Sequence, residues 1–257
     1  MVLKGGKHMA YDKLCIIMAD GQAKRMSGLN KRKQLIEVGG EKVIDRTIRQ
    51  LRELGVEPVI ATHYDDFDYL DIARIIPEKN DYEITKFNSN KKYYGKYKET
   101  LFIWGDTYFD DCDIKEIVKT PVKSFTFFGS LYEIFAFKIK QSYYHLIDEG
   151  ADYIINKPDL DYCNTGTWGL MRYIGGHPLL PNPNHVPGDG LTAIHEPDKY
   201  IAEGLLHILP GRSLDNDGIN DLVILQERFP DRKIEELEYT NKDGSISYFI
   251  DGKWVKK

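Results

Sequence analysis

The chain has 257 residues, 42% of them hydrophobic and 29% charged, with a net charge of -5 at pH 7. That length fits one large α/β domain, or one domain with an appendage, and the apolar content is enough for a sizeable core. The mildly acidic balance offers no basic excess to neutralise phosphates, which argues against nucleic acid as a main partner.

Residues 1–9, with Gly5-Gly6-Lys7-His8-Met9, read as a leader or tag without a secretory apolar region. Residues 14–19 form a continuous apolar run, the pattern of a strand buried on both faces. It stops at Asp20-Gly21-Gln22-Ala23-Lys24-Arg25-Met26, a glycine turn that leads into a basic segment. A tight turn after a buried strand offers backbone N–H groups to an anion, and Arg25 and Lys33 add fixed positive charge beside it.

Residues 41–54 read as a helix with Val43, Ile44, Ile48, Leu51 and Leu54 on one face, stopped by Gly55. A strand at 58–62, a weak helix at 66–74, a strand at 82–87 and a short basic-aromatic helix at 91–98 follow. Residues 100–104 make a further strand that ends in Gly105-Asp106. Then come a helix at 113–119, strands at 124–128 and 132–138, and a helix at 141–149. Strands alternating with helices predict a Rossmann-like, mostly parallel sheet flanked by helices, with ligands outside the carboxyl ends of its strands.

The pattern breaks at 150–200, which is dense in turn formers and reads as an irregular insertion over the crevice. A strand at 205–209 leads to Asp215-Asn216-Asp217-Gly218 and a helix carrying Leu222, Leu225 and Phe229. The main domain is therefore expected over residues 10–232. Asn241-Lys242-Asp243-Gly244 and Asp251-Gly252, set among Ile246, Tyr248, Ile250 and Trp254, predict a β-hairpin tail over 233–257. That tail either mediates a homodimer or packs on its own domain.

Asp106, at a strand's carboxyl end beside a glycine, suits a hard divalent cation such as Mg²⁺, which takes one or two carboxylates and fills its shell with phosphate oxygens and water. Asp217 is the expected second acid; capping of the following helix is its other reading. The histidines His177, His185, His195 and His207 match no common zinc spacing. Cys15, Cys112 and Cys163 are not at metal spacing either, and an odd count gives no disulfide framework, so the cytoplasm is the natural compartment. No run reaches transmembrane length.

These motifs together resemble the nucleotidyltransferases of GT-A-like fold, which include sugar-phosphate nucleotidylyltransferases, cytidylyltransferases and molybdenum-cofactor guanylyltransferases. Met18-Ala19-Asp20-Gly21-Gln22-Ala23-Lys24-Arg25-Met26 is similar to their L-A-A-G-x-G-x-R-M signature. Arg32-Lys33-Gln34-Leu35 resembles P-K-x-L, Gly105-Asp106 the strand-terminal G-D, and Asp215 to Leu222 the D-I-D-T-P-E-D-L stretch, with Asp217 on its metal-binding aspartate. The chain departs from the pattern at Asp20, where alanine is usual, at Ala23 in place of the second glycine, and at Arg32 in place of proline.

The resemblance implies a Mg²⁺-dependent enzyme that transfers NMP from a nucleoside triphosphate, CTP or UTP favoured, to a phosphorylated sugar, polyol or amino alcohol, and releases pyrophosphate. Ala19, Asp20, Gly21, Gln22, Ala23 and Lys24 would line the nucleotide, with Asn88 and Asn90 at the base or, equally, as turn residues. Arg25 and Lys33 would be catalytic, and Asp106 and Asp217 would hold the metal. Asp20 would place a carboxylate near the triphosphate, where it meets a cation or an amino group of the base. Asn164, Thr165 and Arg212 are candidates for the second substrate, with loop packing and a surface ion pair as their alternatives. Two other readings remain: a GT-A glycosyltransferase, which usually carries a D-x-D that Asp106-Thr107-Tyr108 lacks, and a non-catalytic nucleotide-sensing subunit.

Overall fold

The computed structural model describes residues 13–21, 26–78, 82–90, 93, 97–157, 166–179 and 197–256. In chain order these carry β1 (Lys13–Met18), β2 (Glu37–Val38), β3 (Glu41–Lys42), α1 (Val43–Glu53), β4 (Glu57–Ala61), β5 (Ala73–Ile75), α2 (Glu83–Asn88), β6 (Glu99–Trp104), β7 (Thr107–Tyr108) and α3 (Asp111–Lys119). There follow β8 (Phe125–Gly129), β9 (Ile134–Lys140), α4 (His145–Ile155), α5 (Thr167–Ile174), α6 (Pro197–Ala202), β10 (Leu206–Ile208), β11 (Leu214–Asp215) and α7 (Ile219–Arg228). The chain closes with β12 (Leu237–Thr240), β13 (Ile246–Ile250) and β14 (Lys253–Lys256).

A seven-stranded sheet in the order β10-β8-β9-β6-β1-β4-β5 forms the centre. β1 pairs in parallel with both β4 and β6, while β9 runs antiparallel to β6 and β8. The apolar run of β1 feeds two cores. Leu14, Ile16 and Met18 point to one face with Phe87, Phe102, Phe137 and Ile154; Cys15, Ile17 and Ala19 point to the other with Ile44, Leu51, Ile103 and Ile117. This is the period-two alternation of a central strand covered on both sides. Among the described residues no helix is long and apolar enough to cross a membrane.

Several elements differ from the sequence reading. The expected strand at 82–87 is instead the helix α2 from Glu83, capped by Tyr82, because Ile84 and Phe87, three apart, are both fully buried on one face. The stretch 66–74 holds a short 3₁₀ turn at Asp65–Phe67 and then the edge strand β5, which pairs with β4. Glu41–Lys42 is a small strand paired with β2, so α1 begins at Val43. The region 150–200 is not wholly irregular: α4 runs on to Ile155, and α5 and α6 lie within it.

The tail has three antiparallel strands rather than a two-stranded hairpin, and it packs on its own chain. Leu237 and Phe249 join Met26, Val38, Tyr108, Leu222 and Phe229 in a third core. Gly28 makes the closest approach, since a Cβ there would meet the Thr240 carbonyl and the Tyr239 ring. Gly28→Ala is expected to push β12 away and cost about 1–3 kcal/mol of stability, read by denaturant unfolding. A midpoint equal to wild type contradicts this.

Candidate functional site

The carboxyl ends of β1, β4 and β6 share one edge of the sheet, and the candidate residues collect there. Gly105 closes β6. Its N–H donates to the Met18 carbonyl at 3.0 Å, and a Cβ would meet Ala19, Ile17 and the Met18 carbonyl at 3.2 Å each. A glycine therefore lets the end of β6 tuck beside the end of β1 and sets Asp106 at the carboxyl edge of the sheet.

A two-residue antiparallel ribbon brings in the distant acids. Thr107 pairs with Asp215 and Tyr108 with Leu214, while the Asn216 side chain donates to the Asp106 carbonyl at 3.1 Å. Asp106, Asp215 and Asp217 then present one carboxylate oxygen each, all within 4.8 Å of one another. Asp215 and Asp217 are two apart in near-extended chain, and extended chain sends such residues to one side. That spacing is the sequence signal for Asp215, the first acid of the Asp215-Asn216-Asp217 stretch.

Capping of α7 falls to another residue. Asp221 accepts the N–H groups of Asp217 and Gly218 at 2.9 and 2.6 Å. The Asp217 carboxylate accepts instead from Lys33, at 2.9 Å, and Lys33 also pairs with Asp106. Lys33 is buried at the start of a 3₁₀ turn, Lys33–Leu35. Burial alone would pull its ammonium down. The charges of Asp106, Asp215 and Asp217 and the hydrogen bond to Asp106 outweigh that, and its pKa stands above the ordinary lysine value.

The acids shift in turn. Burial first, then Asp106 and Asp217, push the Asp215 carboxyl well above its usual range. Its Oδ1 is buried with no hydrogen-bond partner among the described residues. Glu133, on the turn between β8 and β9, is a fourth acid near this cluster. Burial and the charges of Asp217 and Asp221 push it up to about 7 from 4.5.

A raised acid pKa means that the folded state keeps a proton the unfolded chain has lost. The stability this confers is complete below the unfolded value of 4.5 and is lost as pH rises to about 7. Metal-free Glu133→Gln is therefore expected to exceed wild type by roughly 1–2 kcal/mol at about pH 8, allowing for solvent screening, and by little at about pH 4. Calorimetric melts at the two pH values check it, and a gain independent of pH contradicts it.

Asp20 takes a different place from the one expected of it. Its carboxylate is buried and accepts the His63 N–H at 2.7 Å, with the His63 ring Nδ1 at 3.0 Å. Lys86 donates to the Asp20 carbonyl at 2.8 Å and lies 3.9 Å from its carboxylate. The acid unusual for the motif thus ties the end of β1 to the loop after β4 and to α2. Both tethers lay hidden in the sequence, Lys86 because α2 reads as a strand.

Other candidates are placed as follows. Ala19 is buried at the strand end, and Gly21 is exposed. Asn88 ends α2. Asn90 is fully buried, with its amide donating to the Lys86 carbonyl at 2.8 Å, so its side chain faces the interior rather than a base. Arg212 pairs with Asp110 at 3.3 Å, lies over the Phe229 ring and donates to the Arg228 carbonyl, in line with the ion-pair alternative. Arg32, in the place of the family's proline, pairs with Asp66 and stacks on Tyr64. Gln22, Ala23, Lys24, Arg25, Asn164 and Thr165 lie outside the described residues.

A half-buried acid faces the side of α5. Glu83 accepts from Thr167 Oγ1 at 2.6 Å and from the Trp104 indole at 3.1 Å, and burial above all pushes its carboxyl up.

The fold is that of nucleotidyltransferases. Residues 15–83 match the family model of the MobA-like NTP transferase domain, the stretch that holds the β1 turn and Lys33. The CTP:phosphocholine cytidylyltransferase from Streptococcus pneumoniae is similar at 18% identity and a TM-score of 0.51, over 84% of this chain and 98% of that one. The homologue of Mycobacterium tuberculosis rv0371c from Mycobacterium sp. strain JC1 is similar at 12% identity and a TM-score of 0.53, over 84% and 96%. The resemblance read from the motifs thus meets a family match in the N-terminal part and a shared fold across most of the chain. Among curated proteins, the lanthanide-dependent methanol dehydrogenase of Methylorubrum extorquens is 27% identical over 118 residues, 40% of this chain. The chain spans only 20% of that protein's length, too small a part to bring its activity here.

Proposed function

We propose that this protein is a divalent-metal-dependent nucleotidyltransferase that transfers NMP from a nucleoside triphosphate to a phosphorylated small molecule and releases pyrophosphate. The observation that supports it best is the meeting of Lys33, Asp106 and Asp217 at the carboxyl edge of a sheet whose N-terminal part matches an NTP transferase domain.

The residues present fit a hard divalent cation such as Mg²⁺. Three carboxylate oxygens converge, and the buried Asp215 Oδ1 lacks a hydrogen-bond partner among the described residues. Asp106 and Asp217 would hold the ion, with Asp215 beside them. When bound, it supplies neutralisation of phosphate charge.

The rest is positioning by the chain's own groups. Backbone amides of residues 21–24 and Arg25 hold the β- and γ-phosphates. Lys33 stabilises charge on the α-phosphate while an oxygen of the acceptor's phosphate attacks the α-phosphorus in line. The bond to the β-phosphate oxygen breaks, and pyrophosphate leaves with the electron pair. Asp20 acts through His63 and Lys86, holding the turn that carries the amides. The region around Asn164 and Thr165 takes the acceptor, a sugar, polyol or amino-alcohol phosphate. CTP or UTP is the favoured donor, and the S. pneumoniae neighbour is by name a CTP enzyme. The free thiols of Cys15 and Cys112 suit the cytoplasm, where the triphosphates are found.

The test is pyrophosphate release from CTP, UTP, GTP, ATP and dTTP, each with Mg²⁺ and a panel of phosphorylated acceptors. Release that needs both a nucleotide and an acceptor supports the reading. Release from no combination contradicts it.

A further inference from the structure

We propose that the Lys33 ammonium is the resident counter-ion of the Asp106, Asp215 and Asp217 cluster, and that a divalent cation enters only as Lys33 leaves. The inference rests on the reading of these acids as the metal site, and deepens it.

Lys33 Nζ touches carboxylate oxygens of both Asp106 and Asp217. One carboxylate oxygen from each of Asp106, Asp215 and Asp217 lies within 4.8 Å of the other two, so a shared ion has to lie among these side chains. An ammonium already at hydrogen-bond distance from two of the three blocks that position. It also opposes an incoming dication with a like charge in a buried setting, where screening is weak.

Lys33 cannot simply vanish from the cluster. Without a cation, one oxygen from each of three carboxylates, within 4.8 Å of one another, would face the others in a largely enclosed site. One positive group must replace another.

The backbone does not carry the movement. Arg32 is pinned by Asp66 and by the Tyr64 ring, and Gln34 and Ile36 are buried on the other side of Lys33. The movement falls to the four-carbon stem of Lys33, which can change rotamer without the backbone. The proposed function gives the released ammonium a new partner, the phosphate chain of the bound nucleotide. Metal entry and phosphate capture by Lys33 then favour each other, a coupling between two ligands at one site.

The test uses the full chain without nucleotide or acceptor and measures Mn²⁺ binding from the spin-resonance signal of the free ion. Lys33→Met is expected to bind Mn²⁺ about tenfold or more tighter than wild type, because one buried like charge is gone. Lys33→Arg keeps the charge and is expected to bind no tighter than wild type. Thermal melts guard against misfolding. Lys33→Met should melt lower than wild type without cation and gain more from Mn²⁺. Equal or weaker Mn²⁺ binding by Lys33→Met, or equal thermal gains, overturns the exchange while leaving the metal site in place. Failure of the metal reading itself is distinct: wild type and both variants then bind no Mn²⁺ even at high concentration, and the exchange falls with it.

Discussion

Asp106→Asn is expected to lower pyrophosphate release by about 10³-fold or more while leaving the melting temperature of the metal-free protein within a few degrees of wild type. The activity loss follows from position. Asp106 follows β6 at the carboxyl edge of the sheet, lies beside Asp215 and Asp217, and is one of two acids that would hold the ion against the phosphates. Stability should change little because the exchange removes one carboxylate from a crowded acidic cluster. Lys33 keeps its contact with Asp217, and the Asp106 carbonyl still accepts from Asn216. Relief of like-charge repulsion offsets the lost ion pair, the usual trade between a site built for chemistry and one built for stability. Steady-state pyrophosphate assays and calorimetry on the same sample check both halves. A variant that retains activity, or that loses it only by unfolding, contradicts the assignment.

Lys33→Met is expected to reduce turnover by about 10²- to 10³-fold at saturating metal, with a smaller change in the KM for nucleotide. A lysine ammonium keeps its charge at neutral pH, and in the metal-free site its acidic neighbours raise its pKa further, so it acts as a permanent cation and not as a proton donor. A fixed cation aimed at charge that grows in the transition state affects kcat more than ground-state binding. The rate profile of wild type should therefore show no titration attributable to Lys33 between about pH 6 and 9. A loss expressed wholly in KM would show that Lys33 only binds nucleotide.

Much of this arrangement is visible in the residues themselves. β1 and β6 read correctly because long apolar runs buried on both faces leave no competing pattern, and Gly105-Asp106 marks an abrupt end to one of them. Residues 82–87 mislead because Ile84 and Thr85 are β-branched and the segment spans less than two helical turns. Its burial against Phe102 and Phe137, not its own propensity, decides the helix. Misreading it hides both Lys86 and Glu83. Asp215 is a third kind of case. Its neighbour Asp217 was singled out as a metal ligand, but the pairing of β11 with β7 that turns both acids toward Asp106 joins residues more than a hundred apart. Asp20 looked like a ligand in the turn motif, and only the tertiary structure shows His63 occupying its carboxylate.

The most direct measurement follows the fate of individual phosphorus atoms. The full-length protein is incubated with Mg²⁺, a phosphorylated acceptor and CTP radiolabelled either at the α- or at the γ-phosphorus, and the products are separated by chromatography. Nucleotidyl transfer sends the α label into a nucleoside-diphosphate conjugate of the acceptor and the γ label into pyrophosphate, both abolished by Asp106→Asn. Tight nucleotide binding with neither label moved, for CTP and for each other triphosphate in turn, would contradict the account, as would γ label appearing on the acceptor or as free phosphate.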